Sequence, residues 1–599
     1  MGPSAVELRA FLYPMPAADT SLLPMPARPK IGAKNKSQAR PPARLAPAAP
    51  FGLPPSAKTK PARPRQPAAF QLPSWWDRAM AALVVTFFAL IRVRLLNFPL
   101  ERDEGEYAYA GQLIMHAVAP YRYCYSMKLP GTAAAYAILT AIFGQTAAGV
   151  HLGLLVVNSA TTVLVYLLGR KLFGKAAGVV ACAVFAFLSL EPTVLGFAGH
   201  ATQFVVLPAI GGILLLLKAI ETERLRLFLW SGVALGLGFL MKQPGLFFIF
   251  FAVFYLASSD WMRGLNRRQL FLRAGILLAG AALPFGLTCL ILLASGVFSR
   301  FWFWSFTYAE QYGNIVSLSY GLQIFWGAIS NVVAPAILIW IIAASGAVLV
   351  LWGRKARIQT IFVLSFLMFS FAAVCPGLYF RQHYFVLLLP AVALLCGIAV
   401  SRATEIIQEY FENRFLPLLP ALIFVIALGV SILHDSEFFF VIDPVLACHN
   451  LYGHNPFPEA ERIADFIRSR SSSADQIAVI GSEPEIYFYA QRRSATGYIY
   501  TYPLMEPQPF ASSMQHEMES EIESAMPRFI VFTDVPTSWL SGPESDLGIL
   551  TWAEHFARSR YLLVGVVDLL DQGTEFRWDA DARNYKPRSK ARVLIFQKP

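Results

Sequence analysis

The chain has 599 residues, of which 56% are hydrophobic and only 15% charged, and its mean hydropathy is +0.50. A soluble protein of this size does not carry so few charges, so the composition indicates a polytopic membrane protein. The net charge of +12 resides largely in residues 1–75 and in short connections between apolar runs, a placement that speaks for membrane topology and against nucleic acid as a partner.

Residues 1–75 are rich in Pro, Ala, Lys and Arg, as in "ARPPARLAPAAP" and "KTKPARPRQPAAF". They offer no periodic apolar face and read as a disordered, basic cytoplasmic tail. The start, "MGPSAVELRAFLYPMP", has no apolar run of signal-peptide length, so the first membrane segment is expected to be an uncleaved anchor. Apolar segments follow at 79–97, 148–169, 176–196, 203–218, 227–241, 244–258, 271–296, 331–352, 359–375, 383–400 and 415–433. Most approach the ~20 residues of a spanning helix, which predicts about eleven spans. The stretch 130–143 is too short to span comfortably and is expected to lie in the interface or to re-enter.

Lys and Arg concentrate in alternate connections: "GRKLFGK" (169–175), "KAIETERLR" (218–226), "DWMRGLNRRQLFLR" (260–273), "GRKAR" (353–357) and "SRATEIIQEYFENR" (401–414). The positive-inside rule puts these on the cytoplasmic side, together with the N-terminus, and the C-terminus outside. Beyond residue 435 the apolar runs stop. There "FPEAERIADFIRSR" reads as a helix, and "QIAVIG", "RFIVFTD", "YLLVGVVDLL" and "RVLIFQK" read as strands of an extracytoplasmic α/β domain. The division expected is thus a tail (1–75), a helical membrane domain (76–434) and a soluble α/β domain (435–599). Neither GxGxxG nor GxxxxGKS occurs in the last of these, so no dinucleotide or P-loop site is indicated. Six cysteines are scattered without a CxxC pair, several of them inside apolar runs, and predict neither a disulfide framework nor a zinc site.

The connection after the first apolar segment reads "NFPLERDEGEYAYAG" and holds Arg102, Asp103, Glu104 and Glu106. A solvated polar turn would account for them. Their companions suggest more: Lys128 in "YSMKLPG" in the same connection, Lys242 in "FLMKQPG", and Arg381 with His383 in "LYFRQHYF". Ionisable groups near membrane depth cost roughly 3 kcal/mol each and face one another or a wet cavity. One polar chamber holding carboxylates and cations suits deprotonation of a nucleophile beside an anionic leaving group, for which phosphate is the natural choice. Lys242 also reads as a snorkelling helix end. His200 and His383, each without a second ligand at helical spacing, read as hydrogen-bonded interior residues more readily than as metal ligands. Arg92 and Arg94 fit either snorkelling or a hold on lipid phosphate. "FWFWSFTY" (301–308) reads as an interfacial belt, with a sugar-stacking platform as the alternative.

"RDEGEYAYAG", "KLPG", "GRKLFG", "FLMKQPGL" and "RQHYFVLLLPAVALL" together resemble the integral-membrane GT-C glycosyltransferases of the protein O-mannosyltransferase and aminoarabinose transferase superfamily, over about residues 76–434. The resemblance implies a polytopic α-helical fold and inverting transfer of a sugar from a polyprenyl-phosphate donor. The acceptor would be a protein, lipid or glycan at the outer face of a bacterial inner membrane. Asp103 falls at the catalytic acidic position, with Glu104 beside it. Lys128 falls where the family's "KPP" lysine contacts the carrier phosphate, although here the motif reads "KLPG". Arg381, beside His383 and Tyr384, falls at a second cationic position, and Glu106, His200 and Glu191 are further polar candidates. No cofactor is required, although the adjacent carboxylates are compatible with a divalent cation. The competing readings are a transporter or flippase of an anionic lipid, and a glycan-binding C-terminal module on a membrane anchor.

Overall fold

The computed structural model describes residues 73–352 and 357–599. The expected tail lies outside them except for its last three residues, as does most of the "GRKAR" connection. The chain begins with α1 (Trp76–Arg94), α2 (Arg102–Met115), α3 (Gly131–Phe143), α4 (Ala147–Phe173), α5 (Lys175–Leu188) and α6 (Ala201–Thr222). It continues through α7 (Leu225–Met241), α8 (Leu246–Met262) and α9 (Arg267–Ala294). Two short helices, α10 (Phe298–Trp302) and α11 (Ala309–Asn314), flank a π-helical turn, Phe303–Tyr308. Then come α12 (Leu318–Val333), α13 (Ile337–Trp352), α14 (Arg357–Ala372), α15 (Leu389–Tyr410) and α16 (Leu419–His434).

Among the described residues seven helices are long and apolar enough to cross a membrane, and four more, including α3, are apolar but only 10–17 residues long. Helix α3, at 13 residues, reaches about 20 Å, short of a ~30 Å hydrocarbon core. Helix α1 has 19 residues but carries Asp77, Arg78, Arg92 and Arg94. The stretch 297–313, expected as a connection, is largely helical because its aromatic rings pack on one another, as Trp302 does on Phe306 with centroids 4.5 Å apart.

The C-terminal part holds α17 (Pro444–Tyr452), α18 (Phe457–Ser469), α19 (Glu485–Ala490) and one six-stranded sheet. Its strands are β1 (Gln476–Ile480), β2 (Arg493–Ser494), β3 (Phe529–Asp534), β4 (Leu562–Leu570), β5 (Gly573–Trp578) and β6 (Arg592–Gln597), in the order β2-β1-β3-β6-β4-β5. β1 runs parallel to β2 and β3, while β6 joins β3 and β4 antiparallel. All four strands read from the sequence form. The sequence reading does not include β2, which has two residues, or β5, in which "GTEFRW" offers only two apolar positions, Phe576 and Trp578.

From residue 73 onward the helices and the sheet form one compact unit. Helix α2 is the seam between them. A reciprocal cap starts it: Glu104 N donates to the Glu101 carboxylate (3.0 Å), and Glu101 N donates to that of Glu104 (3.4 Å). At Gly105 the helix meets α19 so closely that a Cβ would lie 2.5 Å from the Glu485 backbone nitrogen. Gly105→Ala should therefore destabilise the fold by about 1–3 kcal/mol. Gly275→Ala in α9, where a Cβ meets nothing within 4 Å, should be neutral or stabilising. Thermal unfolding of the two purified full-length variants in detergent compares them directly.

Candidate active site

Successive helical residues turn by 100°, so residues three apart share a face and adjacent ones do not. Asp103 and Glu106 share a face of α2, and Lys128 lies across it: Nζ is 2.8 Å from Asp103 Oδ1 and 2.6 Å from Glu106 Oε2. Glu104 points another way. It is fully buried, and its Oε1 accepts from Gly199 N (2.6 Å) and pairs with His151 Nε2 (3.0 Å). Arg102 points a third way, into the C-terminal part, where it pairs with Glu483 (3.1 Å). The four charges that crowd the sequence thus fall into three environments, Asp103 and Glu106 sharing one.

A cavity of about 270 Å³ opens beside Asp103. Asp103, Glu106 and Lys128 form one wall; Lys242, Arg381, His383 and Tyr384 form another. Trp304, Ser305 and Tyr308 of the aromatic cluster close a third side, and Tyr500, Tyr502 and Glu506 of the C-terminal part a fourth. Of the residues read from the sequence, Asp103, Glu106, Lys128, Arg381, His383 and Tyr384 line this one chamber; Glu104, His200 and Glu191 do not. Glu104 belongs to the packing behind α2, and Glu191 is buried near Asp435, where burial and that neighbouring carboxylate raise its pKa to about 8.

Lys128, expected to contact the carrier phosphate, lines the chamber. Both of its partners are acidic, and it serves Asp103. Burial disfavours the Asp103 carboxylate, yet the ammonium of Lys128 and the adjacent His200 outweigh burial and hold its pKa well below the ordinary aspartate range. Tyr500 donates to the same Oδ1 at 3.4 Å. Oδ2 remains, with His200 Nδ1 at 3.6 Å.

The cations without acidic partners are Lys242 and Arg381. Among the described residues neither has a carboxylate at ion-pair distance. Lys242 Nζ sits 4.0 Å over the Tyr384 ring, and the Arg381 guanidinium 5.6 Å over that of Tyr379. Burial, together with Lys128 and Arg381, depresses the Lys242 pKa to about 7 despite the opposing pull of Asp103. The snorkelling reading of Lys242 does not describe this geometry; whether such a residue lines a chamber depends on the α7–α8 turn, which sequence alone does not place. Arg92 and Arg94 instead hold backbone carbonyls, Arg92 those of Ser189 (2.7 Å) and Gly196 (3.1 Å), Arg94 that of Phe438 (3.1 Å).

His200 is buried, and neither ring nitrogen has a hydrogen-bond partner. Its ring stacks on that of His383 at 4.0 Å, tilted by 9°. Burial works against protonation of both rings. Glu101 and Asp103 override it at His200 and raise its pKa, whereas His200 and Lys242 add to it at His383, which falls well below the ordinary histidine value. Donor atoms of Asp103, His200 and His383 lie within 4.8 Å of one another. Parallel rings aim their in-plane lone pairs along two separate planes, so this arrangement does not present both nitrogens to one metal ion. The adjacent carboxylates Asp103 and Glu104 do not form an ion site either, because they diverge.

Residues 128–287 match the family described as dolichyl-phosphate-mannose-protein mannosyltransferase. No curated protein matches the chain. Among solved structures, ArnT from Cupriavidus metallidurans bound to undecaprenyl phosphate is similar, with a TM-score of 0.55 and 14% identity, over 88% of this chain and 98% of that one. The Archaeoglobus fulgidus oligosaccharyltransferase tethered with an acceptor peptide gives a TM-score of 0.51 and 15% identity, over 86% of this chain and 76% of that one. The same enzyme, AglB, in complex with an inhibitory peptide and a dolichol-phosphate, gives 0.50 at 15% identity over the same shares. The chain carries the GT-C fold. The fold and the family match over 128–287 agree with the resemblance drawn from the sequence, and the chain is a mainly helical membrane protein with a C-terminal α/β region.

An anion in the chamber would bind the protonated form of Lys242. Affinity for a phosphodiester, whose own charge is constant over the range, should be greatest below pH 7 and weaken as pH rises through the lysine's pKa of about 7. Lys242→Met should flatten this slope, as read by titration calorimetry from pH 6 to 9.

Proposed function

We propose that the chain is an inverting glycosyltransferase that moves a sugar from a polyprenyl-phosphate-linked donor to an acceptor at the outer face of the plasma membrane, as in a bacterial inner membrane. The observation that carries this reading is the division of charge in one chamber: a carboxylate kept ionised by Lys128 on one wall, and two cations without acidic partners, Lys242 and Arg381, on another. The undecaprenyl phosphate of the ArnT structure and the dolichol-phosphate of the AglB structure support a lipid-phosphate donor for this chain. The family match over 128–287 supports sugar transfer.

In this reading the donor phosphate rests between Lys242 and Arg381, and the acceptor approaches Asp103 Oδ2, the oxygen that Lys128 and Tyr500 leave free. The acceptor oxygen or nitrogen attacks the anomeric carbon from the face opposite the phosphate, and the new bond forms as the carbon–oxygen bond to phosphate breaks. The electron pair leaves on the phosphate oxygen, where the two cations stabilise it. The proton of the nucleophile passes to Asp103. A base with so low a pKa removes the proton late, once the nucleophile has lost electron density, and before that it orients the nucleophile through a hydrogen bond. Trp304, Tyr308 and Tyr500 offer ring faces for the sugar. The α/β region lies on the extracytoplasmic side together with this chamber.

Asp103→Asn should lower turnover by about a hundredfold or more while leaving expression and polyprenyl-phosphate binding intact; a variant with full turnover would remove Asp103 from the mechanism. Retained binding of polyprenyl phosphate with no transfer by the wild type, whatever the sugar supplied, would favour lipid transport instead. Lys128→Met removes the cation that offsets burial, so the Asp103 pKa should rise and the acid limb of the pH–rate profile should move to higher pH.

A further inference from the structure

Asp103 is flanked by a residue whose contacts all lead away from the membrane helices. Arg102 is 7% exposed. Its Nε donates to the Ser482 carbonyl, Nη1 to Tyr502 Oη (2.6 Å), and Nη2 to Asn455 Oδ1 (2.9 Å) and Glu483 Oε1 (3.1 Å). These partners are themselves fixed. Ser538 Oγ donates to the other oxygen of Glu483 (2.9 Å), Thr537 Oγ1 donates to Asn455 (2.8 Å), and Tyr502 Oη donates to the Thr537 carbonyl (2.7 Å).

Further bonds tie α2 and the Lys128 connection to the same region. Leu100 N donates to Tyr489 Oη (3.2 Å), Ser494 N to Tyr109 Oη (2.8 Å), and Tyr125 N to the Gly497 carbonyl (2.7 Å). Tyr500, two residues before Tyr502, reaches Asp103 itself. The phosphate side is held differently: Lys242 stands between α7 and α8, and Arg381 just ahead of α15, with Tyr384 and Tyr379 as their ring contacts. No bond of Arg102 reaches either of them.

We propose that the C-terminal α/β region is part of the catalytic apparatus: through Glu483 it holds Arg102 as a positioning residue that sets where the Asp103 carboxylate stands, while Tyr500 fixes which carboxylate oxygen faces the acceptor. The hold governs the carboxylate half of the chamber and leaves the phosphate half alone. Asp103 adjoins Arg102 in the first turn of α2, so a shift of the guanidinium carries Asp103 with it, and a displacement of about an ångström at a reacting group lowers rate by around a hundredfold. Because this inference rests on the proposed glycosyl transfer, wild-type transfer is measured first, and its absence would count against that reading of function.

The test uses the full-length enzyme, a polyprenyl-phosphate-linked sugar that the wild type transfers, and sugar-free polyprenyl phosphate as the binding probe. Glu483→Gln keeps the side chain's shape and removes the charge that holds Arg102. It should lower kcat by about tenfold or more with the donor KM and probe affinity within about twofold of wild type. Tyr500→Phe removes one hydroxyl at the chamber wall and tests the same claim should Glu483→Gln fail to fold. It should lower kcat and move the acid limb of the pH–rate profile upward, since the Asp103 carboxylate loses a hydrogen-bond donor. A folded Glu483→Gln with wild-type kcat would overturn the proposal, as would parallel loss of kcat and probe binding, or an unmoved acid limb in Tyr500→Phe.

Discussion

A carboxylate enclosed by protein stays ionised where a cation or hydrogen-bond donors offset its burial, and at Asp103 the ammonium of Lys128 is the largest of these. Its ammonium bridges Asp103 and Glu106 across one face of α2, so the two acids that would otherwise repel are joined by the group between them. The remaining cations of the chamber, Lys242 and Arg381, stand beyond ion-pair distance of any carboxylate among the described residues. The arrangement separates what an anion-releasing transfer needs: an acceptor of protons already paired, and positive charge not yet paired.

Helix α2 makes this separation because its rotational phase sends its charges to three different surroundings. Glu104 and His151 fill the packing behind the helix, Asp103 and Glu106 face the chamber, and Arg102 reaches Glu483. A buried pair such as Arg102–Glu483 contributes little net stability, yet removing one partner costs about 3–5 kcal/mol because the other is left enclosed and unpaired. Such a pair fixes geometry more than it adds stability, and what it fixes here is the residue beside Asp103.

Much of this architecture was legible in the sequence because bulk hydrophobicity writes the membrane helices and apolar runs write the central strands. The chamber was legible in outline: Asp103, Lys128 and Arg381 lie far apart in the chain, and the cost of enclosing charge in an apolar setting is what suggests that they meet. The rotation of α2 was harder to read. Two adjacent carboxylates look equivalent until the cap between Glu101 and Glu104 fixes which one turns inward; the E-x-x-E spacing carried that signal, although Glu is not a favoured N-cap residue. Lys242 was ambiguous because a lysine at the end of an apolar run looks alike whether it reaches headgroups or a cavity. Tyr500, Tyr502 and Glu506 gave no signal, since their place in the chamber wall depends on docking of the α/β region against α2.

That docking bears on how the protein comes into being. Arg102 is separated from Glu483 by 381 positions, so α1 to α16 are synthesised and inserted before the partner of Arg102 exists. Contacts of such long range close late. During synthesis the guanidinium of Arg102 therefore waits for its partner, and the nascent chain holds no finished chamber until its C-terminal segment has emerged and folded back upon α2.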